Sequence, residues 1–190
     1  VQRHGGAVLV NEVTTGMGRT GEWFGYNHYD LVPDIVAMGK GLGNGYPVSA
    51  VVISERIAAG LPKTGIAYAQ SHQNDPLGAA VALAVIDVIR SENLIDRAGA
   101  LSSRLLNGLE RIRQSCSCIR EIRGRGVMAA IELSATADDT RSIWQALLEN
   151  GYILSQRPGL SVFRLDPALT MEEDDLDGFL ETFERVLSDR

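Results

Sequence analysis

The sequence is poor in positive charge, in long apolar runs and in cysteine. With 24 acidic and 18 basic residues the formal net charge is −6, and nucleic-acid binding needs a basic patch that so acidic a chain does not offer. No apolar run approaches the roughly 18 to 20 residues of a membrane-spanning helix. The two cysteines, Cys116 and Cys118, form a lone C-x-C, which predicts reduced structural thiols in the cytosol rather than metal ligands. Composition therefore indicates a globular chain with no nucleic-acid, membrane or metal partner.

Lysine is almost absent as well, and one lysine has an unusual position. All basic residues except Lys40 and Lys63 are arginine. An amine can lose its proton when it is desolvated and can attack a carbonyl carbon, whereas a guanidinium stays protonated. Lys40 lies in the glycine-rich run MGKGLGNGYP, residues 38–47, directly after a short apolar strand predicted at residues 34–38. Lys40 is thus predicted at the carboxyl end of a strand, where open α/β sheets bind ligands.

Two other interpretations of the glycine-rich run stay open on these residues alone. The run could be a phosphate-binding loop, although neither GxxxxGK[ST] nor GxGxxG is present. Lys40 could also be an ordinary solvated lysine in a flexible turn. The surrounding segments bear on the choice between them.

Two more strands are predicted beside this one. Residues 7–10 are a short apolar run that delivers polar side chains, beginning with Asn11, to its carboxyl end, and residues 48–53 form a third strand. Residues 17–26 contain too much glycine for a helix or a strand and predict an ordered loop pinned by aromatic side chains. The pattern predicts an α/β chain with polar groups gathered at one sheet edge.

The motifs at this edge are similar to those of a known family. NEVTTGMGRTG at 11–21 and PDIVAMGKGLGNGYPVSAVVI at 33–53 resemble the signature of class III (ornithine, acetylornithine and 4-aminobutyrate type) pyridoxal-phosphate-dependent aminotransferases, in which DEVxTGxGRTG precedes GKxxxGGxP. RGRGVM at 123–128 and VFRL at 162–165 resemble later family landmarks. The resemblance implies an α/β fold of type I. Residues 1–91 would be the carboxyl-terminal part of the large cofactor domain, and 92–190 a linking helix and the small α+β carboxyl-terminal domain.

The resemblance also implies a cofactor site. Lys40 would form a Schiff base with pyridoxal 5'-phosphate and, once substrate releases it, would shuttle the proton of the substrate α-carbon. Val13 would pack on one face of the ring, unless it is a simple core valine. Thr14 stands where many relatives have glutamine near the cofactor's phenolic oxygen, so a shorter hydroxyl replaces that contact. Asn11 replaces the family aspartate, whose charge keeps the pyridine nitrogen protonated; the alternative for Asn11 is a simple turn former.

Two further residues are assigned by their alignment with the family. Ser71 matches a threonine that binds the cofactor phosphate of the neighbouring subunit, which implies a homodimer with a shared active site; an ordinary loop residue is the alternative. Arg164 matches the arginine that grips the substrate's carboxylate with two parallel hydrogen bonds, and a structural salt bridge is the competing interpretation. Arg123 and Arg125 are interpreted as holding the domain together.

The remaining segments carry helix and strand signals. A helix at 77–89 begins at the N-cap Asp75, is apolar almost all round and is predicted to be buried. A helix at 92–114 has an arginine-rich face that is predicted to be solvated. The later predictions are strands at 119–122 and 127–133, a helix at 142–149, a capping box at 170–173 and a helix with a one-sided apolar stripe after it.

These residues predict an enzyme that moves an amino group between an amino acid or amine and a 2-oxo acid. A racemase or lyase on the same scaffold is one alternative. Without the aspartate charge at position 11 the cofactor ring withdraws electrons less strongly, and this loss would harm those reactions less. A non-catalytic half-protein is another. The family's amino-terminal half, with its phosphate loop and ring-stacking aromatic, is not in this sequence, so we expect the chain to be a fragment of a longer enzyme or to work beside a second chain.

Overall fold

The computed structural model describes residues 1–65 and 67–189. They form two compact units, one spanning Val1–Leu94 and the other beginning at Ile95. The division falls at the start of helix α3, Leu94–Ser115, a few residues after the predicted boundary at residue 91. The assignment of the two parts to a large cofactor domain and a small domain stays a prediction.

The first unit is built on a three-stranded sheet. Its strands are β1 Leu9–Asn11, β2 Ile35–Met38 and β3 Ala50–Ile53, in the order β1-β2-β3. Each begins one or two residues later than the strand predicted from the sequence. β1 and β2 run parallel, with Asn11 opposite Ala37, whereas β3 pairs antiparallel with β2. Because parallel strands end at the same edge of a sheet, the residues that follow β1 and β2 lie side by side.

A buried carboxylate, Asp34, ties the start of this sheet together. Its Oδ2 accepts hydrogen bonds from the backbone N–H of Val8 and from Nε2 of Gln2, both at 2.9 Å, and its Oδ1 lies 2.8 Å from Nη2 of Arg56. Its side chain is only 6% exposed. The bonds from Val8, Gln2 and Arg56 stabilise the charged form and lower the pKa of Asp34 from its usual 3.8 to about 2.

Two helices follow β3. They are α1 Glu55–Gly60, capped by Ser54, and α2 Pro76–Ser91, capped by Asp75 as predicted. The predicted burial of α2 is wrong within residues 1–65 and 67–189, because Leu77 and Leu83 are 57% and 61% exposed. Apolar composition indicates that the surface of a helix packs against other elements, but it does not supply those elements. In the described residues such packing buries only Gly78 and Ile89 of this helix.

The second unit packs three helices with a four-stranded antiparallel sheet. Its elements are α3 Leu94–Ser115, β4 Ile119–Arg125, β5 Met128–Leu133, α4 Ala137–Glu149, β6 Ser155–Gln156, β7 Val162–Leu165 and α5 Glu173–Ser188. The strand order is β4-β5-β7-β6. One apolar cluster joins the sheet and all three helices, with Ile131, Leu147, Phe163 and Phe183 fully buried. The predicted stripe on α5 belongs to this core.

The arginine face of α3 is largely exposed, as predicted, and two of its arginines also bind groups outside the helix. Arg104 donates from Nε to Asp177 at 2.7 Å and from Nη1 to Glu173 at 2.9 Å, and both acceptors lie on α5. Arg97 donates from Nη2 to the carbonyl oxygen of Met171 at 2.9 Å. The arginines therefore join α3 to the start of α5, although these ion pairs are exposed enough for each to contribute little to stability.

The predicted capping box at 170–173 is wrong. Helix α5 begins at Glu173 with Glu172 as its N-cap, and no side chain caps it. The carbonyl oxygens of Thr170 and Met171 accept hydrogen bonds from Arg97 instead. That contact holds Thr170 outside the helix, where its hydroxyl cannot act as the cap.

Cys116 and Cys118 form a disulfide, which corrects the prediction of free thiols. The turn from α3 into β4 brings their Cα atoms to 5.3 Å, inside the range that a disulfide spans. The sequence prediction relied on compartment statistics and had no information on this geometry. Both cysteines are half-buried against the apolar cluster.

No helix among the described residues is both long and apolar enough to cross a membrane. The same residues contain no group of three or more His, Cys, Asp or Glu side chains placed to hold a metal ion.

Candidate active site

Lys40 lies two residues beyond the end of β2, in a backbone conformation that is uncommon for a residue with a side chain. Its φ is +42°, in the left-handed region, and such outliers concentrate at functional positions. It opens a 3₁₀ turn that ends at the buried Leu42. The Lys40 side chain is exposed.

Thr14 is the hydrogen-bond partner of that lysine. Nζ of Lys40 donates to Oγ1 of Thr14 at 2.8 Å, across 26 positions in sequence. The contact is possible because β1 and β2 are parallel and release their chains at one edge. The structure therefore brings together two residues that were predicted to share a cofactor site.

Val13 and Asn11 belong to the same edge. The methyl groups of Val13 lie 3.6 and 3.8 Å from the place that a Cβ would occupy on Gly39, the residue before Lys40. Val13 is half-buried, so part of its surface stays available to a ring. Asn11 is exposed and lies at the end of β1, opposite Ala37.

The amide of Asn11 is oriented by a local turn. Its Oδ1 accepts a hydrogen bond from the backbone N–H of Val13 at 3.1 Å, so the turn-forming role considered as an alternative is present. The backbone N–H of Val13 is a donor, which identifies the amide atom that it meets as the oxygen. The other amide atom, Nδ2, meets no acceptor within the described part of the chain. Asn11 thus keeps an unpaired amide donor, and its Oδ1, which has two lone pairs, can still accept a second hydrogen bond.

Glu12 is a structural residue of the site that the sequence analysis missed. It is 4% exposed and accepts three hydrogen bonds, from the hydroxyl of Thr15 and from the backbone N–H groups of Gly25 and Tyr26. These bonds fold the loop of residues 12–26 back onto the end of β1. Gly16 has no room for a side chain, because a Cβ there would lie 2.8 Å from the carbonyl oxygen of Glu12. An acidic residue at the start of a glycine-rich loop was the only signal for this role.

Ser71 lies apart from this cluster in the hydrogen-bond network. It occupies an exposed turn at residues 71–74, and its hydroxyl has no partner among residues 1–65 and 67–189. His72 next to it pairs with Asp75 at 3.9 Å. The structure leaves the hydroxyl of Ser71 available to a phosphate but does not link it to Lys40.

Arg164 lies in the second unit, on β7. Ala130 and Ser155 are its cross-strand neighbours on β5 and β6, and both have small side chains. Its Nε donates to Oδ2 of Asp166 at 2.5 Å, so the salt bridge considered as an alternative exists. Neither terminal nitrogen of Arg164 makes a hydrogen bond in the described residues, and its side chain is 45% exposed.

The residues that follow β1 and β2 fit pyridoxal phosphate by their chemistry. Lys40 offers a primary amine for an aldehyde, Asn11 a free amide donor for a ring nitrogen, Thr14 a hydroxyl and Val13 an apolar surface for a flat ring. All four lie on neighbouring segments at one sheet edge. The donor set is therefore compatible with this cofactor, and the lysine-centred arrangement is not that of a nucleotide phosphate loop.

Comparison with known proteins agrees with this chemistry. Residues 1–187 match the sequence profile of the family described as Aminotransferase class-III. A leucine/methionine racemase of Thermococcus litoralis is 34% identical over the whole chain and 44% of its own length. An acetylornithine/succinyldiaminopimelate aminotransferase of Photorhabdus laumondii is also 34% identical, over 98% of the chain and 46% of its own length. The chain thus spans about half the length of the curated relatives it matches.

Solved structures match the fold closely. A Bacillus anthracis aminotransferase superposes with a TM-score of 0.93 at 28% identity, over 100% of this chain and 46% of that one. The acetylornithine aminotransferase of Elizabethkingia anophelis gives 0.88 at 31% identity, over 100% and 47%. An amine transaminase from an uncultivated Pseudomonas species, in its PLP-bound form, gives 0.91 at 27% identity, over 99% and 46%. The predicted α/β fold of type I is confirmed, and the chain belongs to the class III aminotransferase family.

Proposed function

We propose that this chain is the carboxyl-terminal half of a pyridoxal-phosphate-dependent aminotransferase that moves an amino group between an amino acid or amine and a 2-oxo acid. The observation that carries the proposal is the placement of Lys40 beside Thr14, Val13 and Asn11 at one sheet edge. Family membership over residues 1–187 supports it. Because the chain covers about half of its relatives, the activity is proposed for the complete enzyme.

Each residue at the sheet edge has a role in this proposal. Pyridoxal phosphate, when bound, supplies a conjugated ring that withdraws electrons from a breaking carbon–hydrogen bond. Lys40 would hold its aldehyde and, when substrate takes that place, would carry the α-carbon proton on Nζ. Thr14 orients Nζ through the 2.8 Å hydrogen bond. Val13 would pack on the ring, and Asn11 would bind the ring nitrogen through its amide.

Asn11 sets the strength of the electron sink. A carboxylate at this position would hold the ring nitrogen protonated, whereas the free Nδ2 of Asn11 donates to an unprotonated nitrogen. Hydrogen bonds to charged groups contribute about 1.5 to 3 kcal/mol, against about 1 kcal/mol for neutral ones. The loss of electron-withdrawing strength is therefore on the order of 1 kcal/mol or more.

A racemase or lyase reaction is the second candidate, and the uncharged Asn11 favours it. A leucine/methionine racemase is also among the relatives, at 34% identity. Product analysis separates the two candidates. Aminotransfer consumes one 2-oxo acid for each amine formed, whereas racemisation changes only the configuration of the α-carbon and needs no acceptor.

The lysine assignment is tested by borohydride reduction of the complete enzyme loaded with pyridoxal phosphate, followed by peptide mapping. We expect the added mass on the peptide that contains Lys40. Lys63, the other lysine of this chain, is the internal control, and Lys63→Arg should label as the wild type does. Label on Lys63, or no label on Lys40 in a correctly folded enzyme, would refute the proposal.

We further propose a homodimer in which Ser71 binds the phosphate of the cofactor held by the partner subunit. The exposed hydroxyl of Ser71 supports this role. Ser71→Ala should weaken cofactor binding, and mixing it with Lys40→Ala subunits tests sharing. If each active site is confined to one subunit, the mixed dimer of one Ser71→Ala subunit and one Lys40→Ala subunit should show no activity beyond that of the two parent variants.

A cytoplasmic location remains a prediction from the sequence. The Cys116–Cys118 disulfide weighs against it, because disulfides are rare in reducing compartments. Alkylation of the protein in intact cells, followed by mass analysis, decides the point. Two alkylated cysteines in the cytosolic fraction would support the predicted location.

A further inference from the structure

Arg164 and Asp166 form an ion pair at the end of β7, and its geometry is asymmetric. Nε of Arg164 donates to Oδ2 of Asp166 at 2.5 Å. The neighbouring Phe163 and Leu165 are buried in the apolar cluster, so the alternation of side chains along a strand places Arg164 on the opposite face of the sheet. The side chain of Asp166 is 21% exposed and that of Arg164 is 45% exposed. Asp166 therefore binds Nε of the guanidinium, while the end that carries Nη1 and Nη2 reaches solvent.

The contact with Asp166 leaves two donor groups of Arg164 free. Within residues 1–65 and 67–189, no acceptor meets its Nη1 or Nη2. Its neighbours across the sheet, Ala130 and Ser155, have small side chains that leave the space beside it open. A guanidinium that is held through Nε keeps its Nη1 and Nη2 edge for a carboxylate, which can accept two parallel hydrogen bonds there.

Arg123 provides the contrast on the same face of the sheet. Ala130 on β5 lies between the two arginines, because Arg123 pairs with it from β4 and Arg164 pairs with it from β7. Nη1 of Arg123 donates to Glu132 at 2.8 Å and also to Glu121, and these carboxylates raise the pKa of Arg123 above its usual value. Nη1 of Arg123 is thus already occupied by two carboxylates, in keeping with its interpretation as a structural residue.

The hydrogen bonding of Asp166 is incomplete, so its position contributes little to stability. Its Oδ1 is buried and has no hydrogen-bond partner in the described residues, and leaving a buried acceptor unpaired costs stability. The single bond that Asp166 accepts is the one that orients Arg164.

We propose that Asp166 is a positioning residue that holds Arg164 so that the enzyme selects donors bearing a carboxylate. This rests on the proposed function and on the role that the family resemblance implies for Arg164, which is to bind that carboxylate. The orientation depends on an acceptor at the position of Oδ2 and not on the negative charge, which by itself would repel an anionic substrate. Asp166 therefore acts through Arg164 and does not touch the reacting atoms.

The test uses the complete enzyme loaded with pyridoxal phosphate and two donors, an amino acid and the amine of the same skeleton without the carboxylate. Asp166→Leu removes the acceptor, and we expect it to raise KM for the amino acid about tenfold while KM and kcat for the amine stay within about twofold. Asp166→Asn keeps an oxygen acceptor and should restore the amino-acid KM to within about threefold of the wild type. Arg123→Leu is the matched control and should leave the ratio of the two KM values unchanged.

A double variant tells this inference apart from the assignment of Arg164 itself. Asp166→Leu should add nothing to the amino-acid KM when Arg164→Leu is already present. Equal losses for both donors in Asp166→Leu, or an undiminished effect in the Arg164→Leu background, would overturn the positioning role. Failure of Arg164→Leu alone to separate the donors would instead count against the proposed substrate binding. Should Asp166→Leu fail to fold, Asp166→Ser, which is too short to reach Nε, replaces it with the same expected ratio.

Discussion

Nζ of Lys40 and Oγ1 of Thr14 lie 2.8 Å apart, although 26 positions separate the two residues in sequence. Each residue follows one of two parallel strands, so the register of β1 and β2 sets their distance. The lysine is exposed, and its backbone is in the left-handed region. A hydroxyl is therefore the group that accepts a hydrogen bond from the amine in this chain.

Thr14→Val, which keeps the shape and removes the hydroxyl, should slow amino transfer by up to about fivefold, the equivalent of one neutral hydrogen bond of about 1 kcal/mol. Thr14→Ser, which keeps the hydroxyl, should stay close to the wild type. Rates of the first half-reaction measured in single turnovers would show the difference. Equal rates for the two variants would mean that the hydroxyl does not orient Lys40.

Local signals predicted this part of the fold well. The short apolar runs before Asn11 and Lys40 marked β1 and β2, because a short strand is encoded within a few consecutive residues. The Lys40–Thr14 contact could not be derived in that way, because it depends on how two distant strands pair. Glu12 was missed for a related reason: two of its three partners are backbone N–H groups 13 and 14 residues further on.

The predictions that failed relied on local patterns that nonlocal contacts override. The Thr170 to Glu173 pattern fits a capping box, but Arg97 binds the carbonyl oxygens there from α3. The apolar composition of α2 predicts that another element packs on the helix, but it does not show whether that element is among the described residues. The C-x-C pattern was judged by compartment, whereas the turn before β4 brings both thiols within bonding reach.

Asn11→Asp should strengthen the electron sink of the complete enzyme. A carboxylate can hold the ring nitrogen protonated, and a gain on the order of 1 kcal/mol corresponds to about a fivefold faster amino transfer. The absorbance spectrum of the bound cofactor and its pH dependence should shift in the same variant. Equal rates and unchanged spectra in the wild type and the Asn11→Asp variant would remove the role assigned to this side chain.

Glu12→Gln should destabilise the loop of residues 12–26. The amide places a donor where the carboxylate accepts from backbone N–H groups of Gly25 and Tyr26, so at least one charge-assisted bond is lost, at a cost of about 1.5 to 3 kcal/mol. Denaturant unfolding measures this change. Glu22→Gln, an exposed substitution in the same loop, is the matched control and should change the free energy of unfolding by less than about 0.5 kcal/mol. Similar values for the two variants would contradict the role of Glu12.

Asp34 should make the stability of the first unit depend on acid pH. Its pKa is lowered from 3.8 to about 2 by the bonds from Val8, Gln2 and Arg56, so the folded state binds a proton less readily than the unfolded state. The stability that the carboxylate contributes is therefore fully present above about pH 4 and is lost as the pH falls towards 2. Asp34→Asn cannot ionise, so its unfolding free energy should depend less steeply on pH in this range.

Asp30→Asn is the control for that titration, because Asp30 is an exposed carboxylate in the same unit. Urea unfolding at a series of pH values between about 2 and 5 would give the slopes for all three proteins. The wild type and Asp30→Asn should show parallel curves, and Asp34→Asn the flatter one. Should all three curves run parallel, the hydrogen bonds to Asp34 would not favour its charged form in the folded protein, and the link between β1, β2 and α1 would rest on packing alone.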